Sequence, residues 1–249
     1  IVECILLIGY VFLRDSRVEL KPRDFLKTDA SLLRDFARVA SPVIFTQALW
    51  GASNALQTVI LGHMSDIAIA AQSISSNLFL LLKAASVGAC SAASIIIGKT
   101  IGEGQMDKLK EYTRTLQVLF VAIGLALGAA LFLIRIPMLR VYNISSQTRA
   151  LANAYMIIQS AVLVTMSYQM PVNGGIIRGG GDTKFVMILD LVSIWLIVLP
   201  LSSLAAFAWH CSPIVVILLL NSDQVFKCVP AFIRVNSYKW VRKLTRGAQ

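Results

Sequence analysis

The sequence predicts an all-α membrane protein, a polytopic bundle of six transmembrane helices preceded by the end of another helix. Three observations carry that expectation. Hydrophobic residues make up 57% of the chain and charged ones only 14%, far from the balance of a soluble globular domain. Several apolar runs reach the ~20 residues a helix needs to cross hydrocarbon about 30 Å thick. The alternation of a membrane barrel is missing, so each span has to satisfy its own backbone polar groups as a helix.

Taken in order, residues 1–13 are too short to span and carry Glu3 near the front, which reads as the tail of a preceding transmembrane helix. Residues 14–35 are polar and basic, with Arg14, Arg17, Lys21, Arg23, Lys27 and Arg34, and read as a linker between two parts of a larger bundle. Full spans are expected at 36–62, 67–98, 116–134, 151–177, 185–209 and 213–233, giving a lobe over 36–233 and a basic tail over 234–249. Lys and Arg are retained on the cytoplasmic side. They crowd the linker, the 99–114 loop, Arg178 with Lys184, and the tail, while the 63–66 turn has none. Linker and carboxy terminus are therefore both expected in the cytoplasm, which an even number of spans satisfies. Segments 24–38 and 102–114 mix charge with apolar residues at helical spacing. Each is open to reading as an interfacial helix that couples lobes or as an amphipathic loop resting on headgroups.

The net charge of +10 sits in loops between hydrophobic runs, where it orients the chain rather than forming a phosphate-binding face, so no nucleic acid partner is expected. Cys4, Cys90, Cys211 and Cys228 lack the spacing of a disulfide framework or a metal clip and read as buried thiols. Gly98-Lys99-Thr100 imitates the end of a phosphate loop, but Ala93 stands where a glycine is needed and the context is a membrane helix. The two histidines, His63 and His210, form no paired ligand set, so neither a metal site nor a catalytic residue is expected. Asn143-Ile144-Ser145 matches a glycosylation sequon on the expected outer side.

Polar residues inside the spans are more informative, because they are costly at membrane depth and tend to face a cavity. Lys83 and Asp190 stand alone as charges in apolar runs. They read either as an ion-coupling site, paired or separate, or as a snorkelling lysine and an acid at a wet vestibule. Gln47, Asn54, Asn77, Gln169 and Asn173 form a second set, with Gln57, Asn221 and Asp223 beside them. They could line a substrate cavity or bond helix to helix. Pro42, Pro171 and Pro200 fall within spans and permit kinks.

Three stretches carry a resemblance. Ser41-Pro42 opening a helix, then Leu61-Gly62-His63-Met64 and Ile69-Ala70-Ala71-Gln72, resembles the first hairpin of a lobe of the multidrug and toxic compound extrusion (MATE) family. Residues 92–104, Ala-Ala-Ser-Ile-Ile-Ile-Gly-Lys-Thr-Ile-Gly-Glu-Gly, look like that family's second helix and inner glycine loop, and 174–183 look like its glycine-rich turn after the tenth helix. The resemblance implies twelve helices in two lobes, of which this chain holds the end of the sixth, the linker and helices seven to twelve. It implies a cell-membrane antiporter, not an enzyme, that exports organic cations, drugs or toxic metabolites in exchange for Na⁺ or H⁺ and needs no cofactor. The partners implied are an amphiphilic or cationic small molecule, the amino-terminal lobe and the bilayer. Where several members of the family carry acids on the seventh and tenth helices, this chain has Trp50 and Ser167. Trp50 then joins the cavity candidates, as a flat face for an organic cation. The alternatives are a lipid-linked oligosaccharide flippase of related architecture, which would want arginines in the spans, and a membrane scaffold that transports nothing. An intramembrane enzyme would need convergent catalytic groups that the spans lack.

Overall fold

The computed structural model describes residues 30–241. The expected stub at 1–13, most of the expected linker and the tail beyond 241 lie outside the described residues. The chain divides into two compact units, Ile1–Pro42 and Val43–Gln249. The described residues of the first are opening turns of a helix, and the second holds the bundle.

Among the described residues six helices follow one another: α1 Ala30–Met64, α2 Asp66–Gly102, α3 Met106–Val141, α4 Ser146–Ile177, α5 Thr183–Ala208 and α6 Pro213–Asn236. Among the described residues there is no strand. Five of the helices, α2 to α6, are long and apolar enough to cross a membrane. In α1 the run is diluted by Gln47, Asn54 and Gln57.

The helices overrun the expected spans at both ends. Hydropathy marks where lipid stops, whereas a helix stops only where its backbone is capped or turned. Helix α1 begins at Ala30, inside the expected linker, and α6 continues to Asn236, into the expected tail. The 102–114 segment is neither an interfacial helix nor a loop: the chain turns over 103–105, with Gly104 at φ 72°, and Asp107 to Arg114 form the first turns of α3. Lys, Glu, Leu and Arg are good helix formers, so nothing in that sequence stops the helix. Likewise Arg135 and Arg140, beyond the expected end of the 116–134 span, belong to α3. The true stops are local. Ser65 accepts the Ala68 amide at 3.1 Å and starts α2, and Ser145 accepts the Thr148 amide at 3.1 Å and starts α4.

Packing sets the rest. Gly124 and Gly128 on α3 lie against α4 so closely that an added methyl would come 2.8 Å from the carbonyl oxygens of Val164 and Ser160 respectively. Side chains exposed on the bundle surface, Leu119, Leu125, Phe132 and Leu133 on α3 and Leu80, Leu81 and Ile95 on α2, are apolar and suit lipid. Inside, beside a smaller cluster of Leu78, Leu131 and Leu163, are two large apolar cores. One gathers Tyr155, Met156, Ile194, Val198, Val216 and Ile217, the other Ile97, Phe120, Ile176, Val186, Val235 and Trp240. Residues between them in sequence, Gln169 and Asn173 on α4, Asp190 on α5 and Asp223 and Lys227 on α6, form a polar layer.

Helices α4, α5 and α6 are irregular at or beside that layer. Helix α4 widens to a π-helical stretch at Pro171–Ile177, where proline lacks the amide that a regular turn would use, and α5 does so at Val192–Val198 and Leu204–Ala208. Helix α6 is interrupted by a turn at Asn221 and Ser222 and again at Lys227.

Near the Asn236 end, a clasp ties the start of α5 to α6. Arg234 donates to Asp182 through Nε at 3.0 Å and through Nη2, and its guanidinium lies 5.1 Å from the Phe185 ring centre. Beside it the Trp240 indole occupies the space that any side chain at position 180 would need, which only Gly180 leaves open.

A candidate transport cavity with a buried ionic cluster

A cavity of about 480 Å³ opens at the polar layer, walled by α1, α2, α4, α5 and α6. Seven sequence candidates line it: Gln47, Trp50, Asn54, Lys83, Gln169, Asn173 and Asp190. Asn77 does not. The α2 positions that line the cavity are Phe79, Lys83, Val87 and Cys90. Six residues before Lys83 at about 100° each puts Asn77 roughly 120° around the helix, and it is exposed there.

The charges are arranged differently from the simplest expectation. Asp190 is paired not with Lys83 but with Lys227, whose Nζ lies 2.9 Å from Asp190 Oδ1 and 3.0 Å from Asp223 Oδ2. One ammonium on α6 thus bridges an acid of its own helix, four residues back, and an acid of α5. Lys227 and Asp223 are buried, whereas the Asp190 side chain is 27% exposed toward the cavity. Lys83 instead sits over the indole of Trp50, 5.1 Å from the ring centre. The face expected to receive an organic cation is held by a cation of the protein.

A chain of amides leads into the cluster. Asn173 Nδ2 donates to Gln169 Oε1 at 3.0 Å, Gln169 Nε2 to Gln224 Oε1 at 2.7 Å, and Gln224 Nε2 to Asp223 Oδ2 at 2.7 Å. Each amide donates in the same direction, so the chain stabilises the Asp223 carboxylate and leaves Asn173 Oδ1 at its open end without a donor among the described residues. Asn54 is turned back on its own helix, donating to the Trp50 carbonyl at 2.9 Å.

Ser167, aligned by resemblance with an acid, lies off the cavity, buried and 2.8 Å from Ser86 Oγ between α2 and α4. The cysteines expected to be buried, Cys90, Cys211 and Cys228, are only half-buried; Cys4 lies outside the described residues. Sequence reasoning missed Lys227, Gln224 and Arg178 as cavity residues. The signal for the first was present: a lysine four residues after an aspartate in an apolar span is an ion pair on one helical face.

Residues 42–204 match the model of the MatE family. The chain belongs to the MatE family. Among curated relatives, the multidrug resistance protein MdtK of Edwardsiella ictaluri (strain 93-146) is 24% identical over 205 residues, covering 81% of this chain and 43% of that protein. A probable multidrug resistance protein NorM of Bacillus thuringiensis subsp. konkukian (strain 97-27) is 24% identical over 212 residues, 82% of this chain and 45% of its own length. The chain thus spans less than half of the curated relatives it matches. A crystal structure of MATE in complex with MaL6 superimposes with a TM-score of 0.80 at 17% identity, covering 95% of this chain and 53% of that one. An outward-facing multidrug resistance MATE family transporter of the MOP superfamily gives 0.75 at 17%. The likeness is of fold: a MATE lobe, in which the ionic cluster and the amide chain line the cavity.

Proposed function

We propose that this chain is the carboxy-terminal lobe of a secondary active antiporter that exports amphiphilic drugs or toxic metabolites across the cell membrane, and that the coupling ion acts at the Asp190–Lys227–Asp223 cluster. The observation that carries the reading is this cluster, charged, buried and set on the cavity wall where α6 is broken. Ionisable groups at membrane depth are expensive, and discontinuous helices are where transporters place their ion sites. Two acids share one lysine, so the cluster has a negative charge to spare for an incoming cation. H⁺ suits it better than Na⁺, because the Lys227 ammonium already fills the place between the carboxylates where a metal cation would sit. Family membership and the multidrug resistance relatives support export of small molecules.

Transport requires a second lobe in this reading, since alternating access rocks one repeat against another. The test is efflux of a fluorescent amphiphile from loaded cells, comparing residues 1–249 alone with the two-lobe transporter, in the presence and absence of a protonophore and of Na⁺. Proton-driven efflux by the two-lobe protein and none by the isolated chain is expected. Equal gradient-driven efflux by the isolated chain would sink the half-transporter reading, and efflux that depends on Na⁺ alone would sink the choice of ion.

A further inference from the structure

A second cavity, of about 520 Å³, lies away from the ionic cluster, in the groove where the end of α2 meets the first turns of α3. The turn over 103–105 creates it. Gly104, at φ 72°, lets the chain reverse, so that Lys99 near the end of α2 and Lys108 at the start of α3 line one groove.

The groove grades from charge to hydrocarbon along both helices. On α3, Lys108, Tyr112, Thr115 and Leu119 recur at spacings of four, three and four and so share one side. On α2, Ile96 and Lys99 are three apart and do the same. Ile96 and Leu119 are exposed, while Thr100 and Leu116 form the buried floor. The expected span of α2 ends at 98 and that of α3 begins at 116. Both lysines therefore fall at headgroup level, and Ile96, Leu116 and Leu119 at the edge of the hydrocarbon.

Three charged side chains line the groove: Lys99, Glu103 and Lys108. Glu103 lies 3.9 Å from Lys99, both side chains being well exposed, which is a weak pair. Lys108 has no acid within ion-pair distance among the described residues. The groove thus carries net positive charge. The chain's own tail over 242–249, with Arg242, Lys243 and Arg246 and no acid, matches it in sign and would be repelled.

We propose that this groove binds an anionic phospholipid of the inner leaflet, its phosphodiester held by Lys99 and Lys108 and one acyl chain lying along Ile96, Leu116 and Leu119. A free phosphate would leave the apolar side of the groove uncovered, and a hydrocarbon chain alone would leave the lysines unanswered. Only a molecule with both parts fills it. Lysine meets phosphate as a point charge, and Tyr112 stands at the interface where amphipathic rings are favoured. Gly98-Lys99-Thr100, which fails as a nucleotide loop, supplies its lysine to a lipid phosphate instead.

The experiment uses the full-length protein that contains this chain, in phosphatidylcholine nanodiscs doped with phosphatidylglycerol that bears a photoreactive acyl chain. Adducts mapped by mass spectrometry should concentrate in 96–119 and be competed by unlabelled phosphatidylglycerol but not by phosphatidylethanolamine. Native mass spectrometry then gives apparent affinities. Lys99→Gln with Lys108→Gln should weaken phosphatidylglycerol binding about 25-fold, at about fivefold for each basic residue at an anionic surface. Lys110→Gln with Arg114→Gln removes the same charge from exposed positions outside the groove and should change binding less than about twofold. Lys99→Arg with Lys108→Arg should retain it, and thermal unfolding should be the same in all three variants. Adducts scattered over the bundle, or equal losses in the two glutamine pairs, would reduce the site to general attraction of basic helix ends for an anionic membrane and overturn it. Equal competition by phosphatidylethanolamine would overturn the requirement for net negative charge. Absence of adducts in 96–119, as when another part of the full-length protein covers the groove, would overturn lipid as its occupant.

Discussion

Lys83 was legible in the sequence as a charge at membrane depth and Trp50, through the family resemblance, as a cavity residue, yet their relation was not. An ammonium 5.1 Å from the indole centre competes directly with any organic cation for that face, and such a contact is worth about 0.5–2 kcal/mol. Lys83→Met should therefore strengthen binding of a cationic dye by several-fold, read as quenching of its fluorescence in purified two-lobe protein; weaker binding would show that Lys83 helps to hold the substrate. Asn77 illustrates the complementary failure. Its residue type was right for a cavity, but its place around α2 depends on the helix phase, which a single polar residue in an apolar run does not fix. The Arg234 clasp was illegible for another reason, since Asp182 and Arg234 are 52 residues apart and meet only when α5 and α6 pack. Asp182 is buried and Arg234 partly exposed, so removing the guanidinium takes two charge-assisted donors from a buried acid. Arg234→Gln is expected to cost on the order of 2 kcal/mol, below the range for fully buried pairs. Arg234→Lys should fall between the two, because it loses the second donor; thermal unfolding in detergent measures both.

Among the helices, the α3–α4 seam is a tight contact that the sequence could have announced. Gly124 and Gly128 stand four apart on one face, the spacing that lets two membrane helices touch backbone to backbone. At Gly128 even a methyl would meet the Ser160 carbonyl at 2.8 Å and a Val164 methyl at 2.7 Å. Gly128→Leu must push α4 away, at a cost of about 1–3 kcal/mol or more. The variant should lose monodispersity on size-exclusion chromatography, and Gly51→Leu, where nothing lies within 4 Å, should not. Helix existence and order were legible throughout because apolar runs of membrane length have few alternatives. Helix ends were not, since charged but helix-forming sequence such as 107–114 continues α3 past the point where hydropathy falls. The π-helical stretches had a marker in the sequence, Pro171 in α4 and Pro200 between the two stretches of α5. The interruption of α6 coincides with the polar run Asn221-Ser222-Asp223-Gln224, which reads as part of a single span because apolar stretches flank it.

For the whole lobe, the alternation of basic and uncharged turns makes one prediction about sidedness. Membrane-impermeant thiol reagent added outside intact cells should label Ser145→Cys, exposed between α3 and α4, and spare Ser237→Cys, exposed after α6; labelling of the latter would invert the orientation. The fold class, the order of six helices and most of the polar residues that line the cavity could be read from where polar residues interrupt apolar runs. Which of those residues bond to each other could not, because that depends on distances between helices. The two large apolar cores on either side of the polar layer have an electrical consequence as well. Packed side chains without water act as insulation, so the membrane voltage falls across them rather than within the wet space they enclose. A proton that reaches Asp190 has then crossed part of that voltage, each full crossing of a unit charge being worth about 2.3 kcal/mol per 100 mV. On the proton-coupled reading proposed above, uptake at Asp190 responds to the cell's potential as well as to the pH difference across the membrane.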